Sequence, residues 1–503
     1  MRILSTKHAV VAALGLASSW LPGCAQDIDE NEAQIGEVGA ALTTSTPAYL
    51  QGVARGVVFT PLLSVGDTVN TRPDGVTPYR MVGIPDGLGA FDNDDDTFTV
   101  VMNHELTNTV GIARAHGGKG AFVSKWTFSK NTLQAIKGED LIQAVSTYNA
   151  TSGVWNPPVS GASGVSFSRF CSADLPEKDA FWNKNTKTGF NGRIFMNGEE
   201  SGNEGRAIAH VVTGAAAGIS YELPHLGKFS WENSVANPAT GDKTVVAGTD
   251  DTGNGQVYIY IGQKAKNGNA IEQAGLTGGS LYGVQLTGIV NESDATVLAS
   301  PQTFTLVPLG NVASWTGARL DMESVAKGVS GFQRPEDAAW NPDSPTELLF
   351  NTTASMTNKT RLWRLRFSDL SNLPAGGTVQ LLVDGGDARM LDNLAVERKG
   401  RFAITVEDPG GNDHLAKVWR YDLRANPQSP TFQMIGQFDP NRFAPGAPSF
   451  LTNDEESSGV IDVGKILGNG YYLIDAQIHK ANPDPELVEE GQLLLMRLPN
   501  NLR

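Results

Sequence analysis

From about residue 49 to its end the chain reads as strand, turn, strand, and this pattern constrains its fold more than any other feature. Thr97-Phe98-Thr99-Val100-Val101-Met102, Arg193 to Asn197, Val245 to Thr249, Gln256 to Ile261 and Glu347 to Thr353 are short runs rich in β-branched and aromatic residues. Arg361 to Leu365, Arg401 to Val406, Lys417 to Tyr421 and Gly470 to Asp475 continue the series. Turn residues (Gly, Asn, Asp, Pro) bound these runs, which is the signature of strands. The 56 glycines and 26 prolines of the 503-residue chain supply those turns. Helical candidates are few and short, Glu139 to Ser146 being one. The expected class is all-β.

A loose repeat runs through these strands. One strand ends like Arg-Ile-Phe-Met-Asn or Leu-Leu-Phe-Asn-Thr, and a later one carries a basic–aromatic pair, as in Leu362-Trp363-Arg364-Leu365 or Val418-Trp419-Arg420-Tyr421. Repeated strand units with no helices between them predict a β-propeller, whose inner-strand loops converge at one mouth of a central channel. The alternative, a set of two-sheet sandwiches, needs linkers, and none is visible after residue 48.

Three segments are expected: an export signal over 1–24, an acidic flexible linker over 25–48, and a single propeller domain over 49–503. Arg2, Lys7 and His8 precede a small apolar stretch too short for a membrane span. It ends Leu21-Pro22-Gly23-Cys24, which resembles a lipobox with Cys24 as the lipidated residue. That places the protein outside the cytoplasm, as an outer-membrane or cell-surface lipoprotein or else in the periplasm or medium. Its only expected membrane contact is the N-terminal lipid.

A formal net charge of -15 argues against a nucleic-acid partner, whose phosphates call for Lys and Arg. It is compatible with carboxylates that hold hard cations. No His-Glu-x-x-His, no P-loop and no serine-nucleophile elbow with a suitable acid and histidine occurs, and the seven histidines are scattered. Cys171 is the only cysteine after Cys24, so no intramolecular disulfide framework exists in a processed chain. Its thiol is an inert core group, a metal ligand or a nucleophile.

Acidic clusters stand at strand edges along the chain: Asn103-His104-Glu105, Gly198-Glu199-Glu200, Arg389-Met390-Leu391-Asp392-Asn393, Glu407-Asp408 and Asn453-Asp454-Glu455-Glu456. The last, continued through Ser457-Ser458-Gly459, is read as a carboxylate-rich calcium loop. The strongest is Arg334-Pro335-Glu336-Asp337, read as a proline-stiffened turn before the strand Glu347 to Thr353. An arginine fork presented there suits phosphate or carboxylate oxygens. His479 closes the last clear strand. If these clusters meet, they make a multi-carboxylate metal site with one thiolate.

In this order the elements Asn103-His104-Glu105, Cys171, Gly198-Glu199-Glu200, Arg334-Pro335-Glu336 and Asp392-Asn393 resemble the PhoX-type bacterial alkaline phosphatases and their relatives. The resemblance implies a six-bladed propeller with loop insertions, and phosphomonoester hydrolysis at a mixed iron–calcium site. Carried over, Cys171 would be a thiolate ligand on iron, and Glu199 or Glu200 its partner carboxylate. Glu336 would be a further ligand, with Glu105 and Asp392 as calcium or cluster ligands. Arg334 would hold the phosphate, and Arg389 is a second candidate substrate contact. A phosphate-ester small molecule is then the expected partner. The chain departs from the family over Ser172 to Asn197, which lacks the Gly-rich, Trp-containing stretch of close relatives. The alternative is a non-catalytic, calcium-only propeller that acts as a surface binding or scaffold protein. A lactonase-like calcium propeller is a third reading, which leaves Cys171 unexplained.

Overall fold

A computed structural model describes residues 43–294, 302–425 and 431–503. The expected export signal, Cys24 and most of the expected linker lie outside them. Residues 43–48, within the expected linker, are hydrogen bonded into the domain. Thr43 Oγ1 accepts from Ala135 N at 2.8 Å, and Thr44 Oγ1 donates to Ser64 Oγ at 2.8 Å.

The chain builds antiparallel sheets arranged in a ring. The first comprises Pro85–Asp92, Thr97–His104, Phe122–Ser129 and Ala135–Asp140. The second joins Ile194–Gly198, Ala207–Val211 and Ile219–Glu222, with Ala144–Ser146 added in parallel. A nine-stranded sheet follows, running from Trp231–Ala236 to Pro335–Trp340 and joined in its middle by Gln302–Gly310 and Gly377–Asp384. A five-stranded sheet begins at Leu391–Val396 and ends at Leu50–Gly52. The last sheet holds Glu455–Asp462, Tyr471–Ala481 and Glu489–Arg497, and Val58–Ser64, from the start of the domain, completes it. This borrowed strand closes the ring. The architecture is a β-propeller.

The sheets pack face to face through apolar layers. Leu88, Met102 and Trp126 of the first meet Leu473 and Leu493 of the last. Ile404 and Val418 of the five-stranded sheet meet Ile474 and Leu494 of the last. Alternation along each strand sends one set of side chains into each layer, which is why period-2 runs sit on both sides.

The innermost strands Trp231–Ala236, Pro335–Trp340, Leu391–Val396, Glu455–Asp462 and Pro85–Asp92 follow one another around the channel. Between Pro85–Asp92 and Ile194–Gly198 runs the segment around Cys171. Gly87 N donates to Cys171 O at 3.2 Å, and Asp174 bridges to Met196. A Cβ at Gly87 would lie 2.5 Å from the Ala173 amide nitrogen, so this approach requires glycine.

Three local readings are corrected. Glu139 to Ser146 forms no helix: Ala135–Asp140 and Ala144–Ser146 are strands whose backbone groups pair with neighbouring strands. Arg334-Pro335-Glu336-Asp337 is not a turn, because Pro335–Trp340 is itself an innermost strand; Pro335 opens it, where a missing N–H is tolerated. The proposed calcium loop is mostly strand, since Glu455–Asp462 pairs with Tyr471–Ala481. The longest helix among the described residues, Gly317–Ala326, is capped by the Thr316 hydroxyl and was not anticipated.

Candidate metal centre

The acids reach the channel through one repeated backbone device. In four innermost strands two residues oppose a single partner residue, and the first of the two is acidic: Asp86, Glu232, Glu336 and Asp392. The same bulge recurs at Ser458-Gly459, two residues beyond Glu456. A bulge breaks the alternation and re-aims a side chain. A second device precedes it. Ile84, Arg169, Arg334 and Met390 have φ of 50°, 47°, 60° and 44°, and each stands two residues before Asp86, Cys171, Glu336 or Asp392. Left-handed backbone costs a non-glycine residue about 1–2 kcal/mol, and such strain collects at functional sites.

The result is a continuous band of ligand atoms. Four triads each have their ligand atoms within 4.8 Å of one another: Asp86–Glu105–Cys171, Cys171–Glu200–Glu232, Glu232–Glu336–Asp392 and Asp392–Asp408–Glu456. Cys171, Glu232 and Asp392 are each shared by two triads. Five residues expected from the sequence therefore come together: Glu105, Cys171, Glu200, Glu336 and Asp392. Asp408 and Glu456, from clusters also noted in the sequence, join them.

Two arginines flank this band in matching ways. Arg334 donates from Nε and Nη2 to the two oxygens of Asp251, both at 2.8 Å, and its Nη2 lies 3.2 Å from Glu336. Arg169 donates from Nε to Glu105 at 2.8 Å and from Nη2 to Glu200. Each guanidinium is pinned along one edge by carboxylates, which leaves its Nη1. Their side chains are 34% and 45% exposed, so both reach the mouth.

Neutral groups brace the ligands. Asn103 Nδ2 donates to Cys171 O at 2.6 Å, and Asn351 Nδ2 donates to Asp392 O at 2.6 Å. Asn393 Nδ2 reaches both Asp86 at 3.2 Å and Ser172 Oγ at 2.5 Å. Asp337, beside Glu336, accepts from Leu394 N and Asn233, so it ties its own strand to two other innermost strands.

The electrostatics favour neutralisation. Eight carboxylates and a thiol in the triads face two arginines and His479. Burial pushes Asp86 up to about 7 and Glu232 up to about 8, with repulsion from Glu105 and Asp86 respectively adding to it. Burial also holds Glu200, Glu336, Asp392 and Glu456 well above the usual carboxylate range, reinforced by neighbouring carboxylates. The Cys171 thiol is raised by burial and then by Asp86 and Glu232. Burial works against charge on His479, but its contacts with Glu456 and Glu489 prevail and take it up to about 11. A buried band of like charge must hold protons or cations. Glu232 Oε2 and Asp392 Oδ1 are buried with no hydrogen-bond partner, so both oxygens are fit to serve as cation ligands. The donor set fits metal ions: carboxylate oxygens suit hard cations, and a thiolate suits a softer transition metal.

Two candidates fall elsewhere. Glu199 chelates Arg206, accepting at Oε2 from Nε at 2.5 Å and at Oε1 from Nη2 at 2.7 Å. It also receives Ser168 N, so it anchors a turn while Glu200 faces the band. The side chain of Arg389 donates at 2.7 Å to the carbonyls of Gly386 and Ala388, its own loop, and the structure gives it no place among the triads. His104, from the first cluster, is a core residue between Gly83 O and Ser124 Oγ, stacked on Phe122.

Asp86, Glu232 and Asp251 were missed. A signal existed for the first two. Asp86-Gly87-Leu88-Gly89 and Glu232-Asn233-Ser234-Val235 share the pattern of Glu336-Asp337-Ala338-Ala339 and Asp392-Asn393-Leu394-Ala395, an acid then a turn-former then small or apolar residues. For Asp251 no comparable pattern exists.

No family model and no curated protein matches this sequence. Its fold is similar to that of Pseudomonas fluorescens PhoX, solved in complex with vanadate, a transition state analogue. The TM-score is 0.61 at 12% identity, over 91% of this chain and 97% of that one. This likeness shows the fold. Two looser ones carry no argument. A periplasmic gluconolactonase of Pseudomonas aeruginosa has TM-score 0.35 at 12% identity, over 88% of this chain and 99% of that one. A β-propeller domain from Myceliophteria thermophila has TM-score 0.33 at 8% identity, over 86% and 99%.

Proposed function

We propose that this chain is an exported, metal-dependent phosphoesterase of the PhoX type, acting at the channel mouth on phosphomonoesters. The observation that carries the reading is the pair Arg169 and Arg334. Each is pinned through Nε and Nη2 and keeps Nη1 for an oxyanion, beside a band of carboxylates and one thiol. Phosphoryl transfer asks for positioned positive charge more than covalent machinery.

Cys171, shared by two triads, would hold iron together with Glu200 and Glu232. Glu336, Asp392, Asp408 and Glu456 form the oxygen-only set suited to calcium, with Asp86 and Glu105 beside Cys171. Bound cations supply charge neutralisation for the ester oxygens and for this acidic band. Arg334 and Arg169 orient the phosphate, and Asp251 holds Arg334 in a single pose. His479, held charged by Glu456 and Glu489, stands at the band's edge as a fixed positive charge. Dividing the nine-stranded sheet at the Gln302–Gly310 and Gly377–Asp384 seam gives six units, which is the blade count we assign.

The test is phosphate release from an aryl phosphate by protein supplied with iron and calcium. Activity lost on chelation and in Arg334→Ala and Cys171→Ala supports the reading. Cation binding without any hydrolysis would sink it and leave a calcium-binding propeller.

A further inference from the structure

A second charged recess lies away from the channel. A cavity of about 760 Å3 opens where the outer edge of the first sheet meets Val212, Ala217 and Gly218, in the connection between two strands of the second. Its volume is in the range of small-molecule sites. Four cations line it: Arg72, Arg114, Lys125 and Lys137. The carboxylates at hand are Glu139 and Asp140 in the wall, and Glu486, which pairs with Arg72, Arg80 and Arg114.

Arg114 decides the character of this recess. Its side chain is only 2% exposed, and neither Nη1 nor Nη2 makes a hydrogen bond. The nearest acids, Asp140 and Glu486, stand 3.8 and 3.6 Å from Nη1, beyond hydrogen-bond reach. Both are committed elsewhere. Asp140 accepts from Tyr79 and from Ala115 N, each at 2.9 Å, and Glu486 accepts from Arg72 and Arg80. The guanidinium lies 3.8 Å over the Phe122 ring, so its plane is fixed. Arg72 Nε, in the same wall, is also buried without a partner. A buried guanidinium with unused N–H groups costs stability unless an acceptor reaches it. An oxyanion is the acceptor that matches a planar fork.

We propose that this cavity is a second ligand site, distinct from the channel, for a small molecule bearing a phosphate or carboxylate group. Arg114 receives the oxyanion at the inner end, and Lys125 and Lys137 close over its outer side. Those lysines now share Glu139, at 2.6 Å each, and either can turn to the ligand.

Isothermal titration of full-length Arg169→Ala/Arg334→Ala protein with inorganic phosphate, and separately with succinate, tests this with both channel arginines removed. One of the two is expected to bind, and the tighter names the class. Binding is expected to weaken about tenfold or more when Arg114→Gln is added to that background, the loss typical of one charge-assisted bond. The added exposed pair Lys125→Gln/Lys137→Gln should weaken it similarly, and it guards against a folding defect from the buried change. Binding of neither anion, or binding unaltered by Lys125→Gln/Lys137→Gln, overturns the proposal. The result is independent of hydrolysis, so failure of the phosphoesterase reading leaves it standing.

Discussion

The metal-centre reading makes its sharpest prediction for the pH dependence of stability. Glu232 is fully buried, and its carboxyl is raised from 4.5 to about 8, first by burial and then by Asp86. Asp86 is raised from 3.8 to about 7, first by burial and then by Glu105. In cation-free protein the folded state keeps these protons while the unfolded chain has released them. Stability is then complete below about pH 4 and falls as pH rises towards 8, at about 1.4 kcal/mol per pH unit for each proton retained. Each group alone is worth roughly 4–5 kcal/mol by pH 8, and their shared repulsion makes the joint figure smaller. Against a total of about 5–15 kcal/mol this is decisive. Cations reverse it, because a bound ion keeps the carboxylates ionised in the folded state and adds binding free energy. The assay is urea denaturation at pH 5, 6.5 and 8, with chelator and with calcium. The midpoint of chelated protein should drop steadily from pH 5 to 8, and calcium should abolish the drop. Glu232→Gln should flatten part of the slope in chelator. A chelated protein equally stable at pH 5 and 8, or a profile that calcium leaves unchanged, refutes the reasoning.

Other outcomes separate neighbouring residues. Glu200→Gln should weaken calcium or iron binding by about tenfold or more, whereas Glu199→Gln should leave cation affinity intact and lower stability by about 1–3 kcal/mol through the unpaired Arg206; calorimetric titration and denaturation read the two. Asn351→Ala removes buried bonds to Asp392 O and Thr405 Oγ1 and should cost about 2–3 kcal/mol, seen as a lower denaturation midpoint. Asp251→Asn frees Arg334 from its charged clamp. It should raise KM for an aryl phosphate about tenfold with the fold retained by circular dichroism, while an unchanged KM would remove Arg334 from substrate binding.

Much of the fold was legible in residue order because strands and turns are local. Thr97 to Met102 and Arg401 to Val406 carry their period-2 pattern and closing turns within a few residues, and both became strands. The errors came where local chemistry was ambiguous. Arg334-Pro335-Glu336-Asp337 carries turn residues, yet neighbouring strands on the ring supply partners for its backbone. Glu199 and Glu200 are adjacent, and nothing in their order says which one turns inward; Arg206, seven residues on, settles it by claiming Glu199.

By itself the sequence determined the strand units, the Cys171 thiol and the excess of acids at strand edges. It also carried the repeated acid-then-turn-former pattern of Asp86, Glu232, Glu336 and Asp392. Only the tertiary structure decided that these meet. Ring closure by Val58–Ser64 against Glu489–Arg497 brings residues more than 300 positions apart to one channel mouth. Side-chain direction there is set by bulges and by left-handed residues such as Ile84 and Arg334, whose backbone is held by neighbours distant in sequence. The cost of crowding like charges is likewise a property of the assembled channel, because it arises only when burial removes water from groups that are far apart in the unfolded chain.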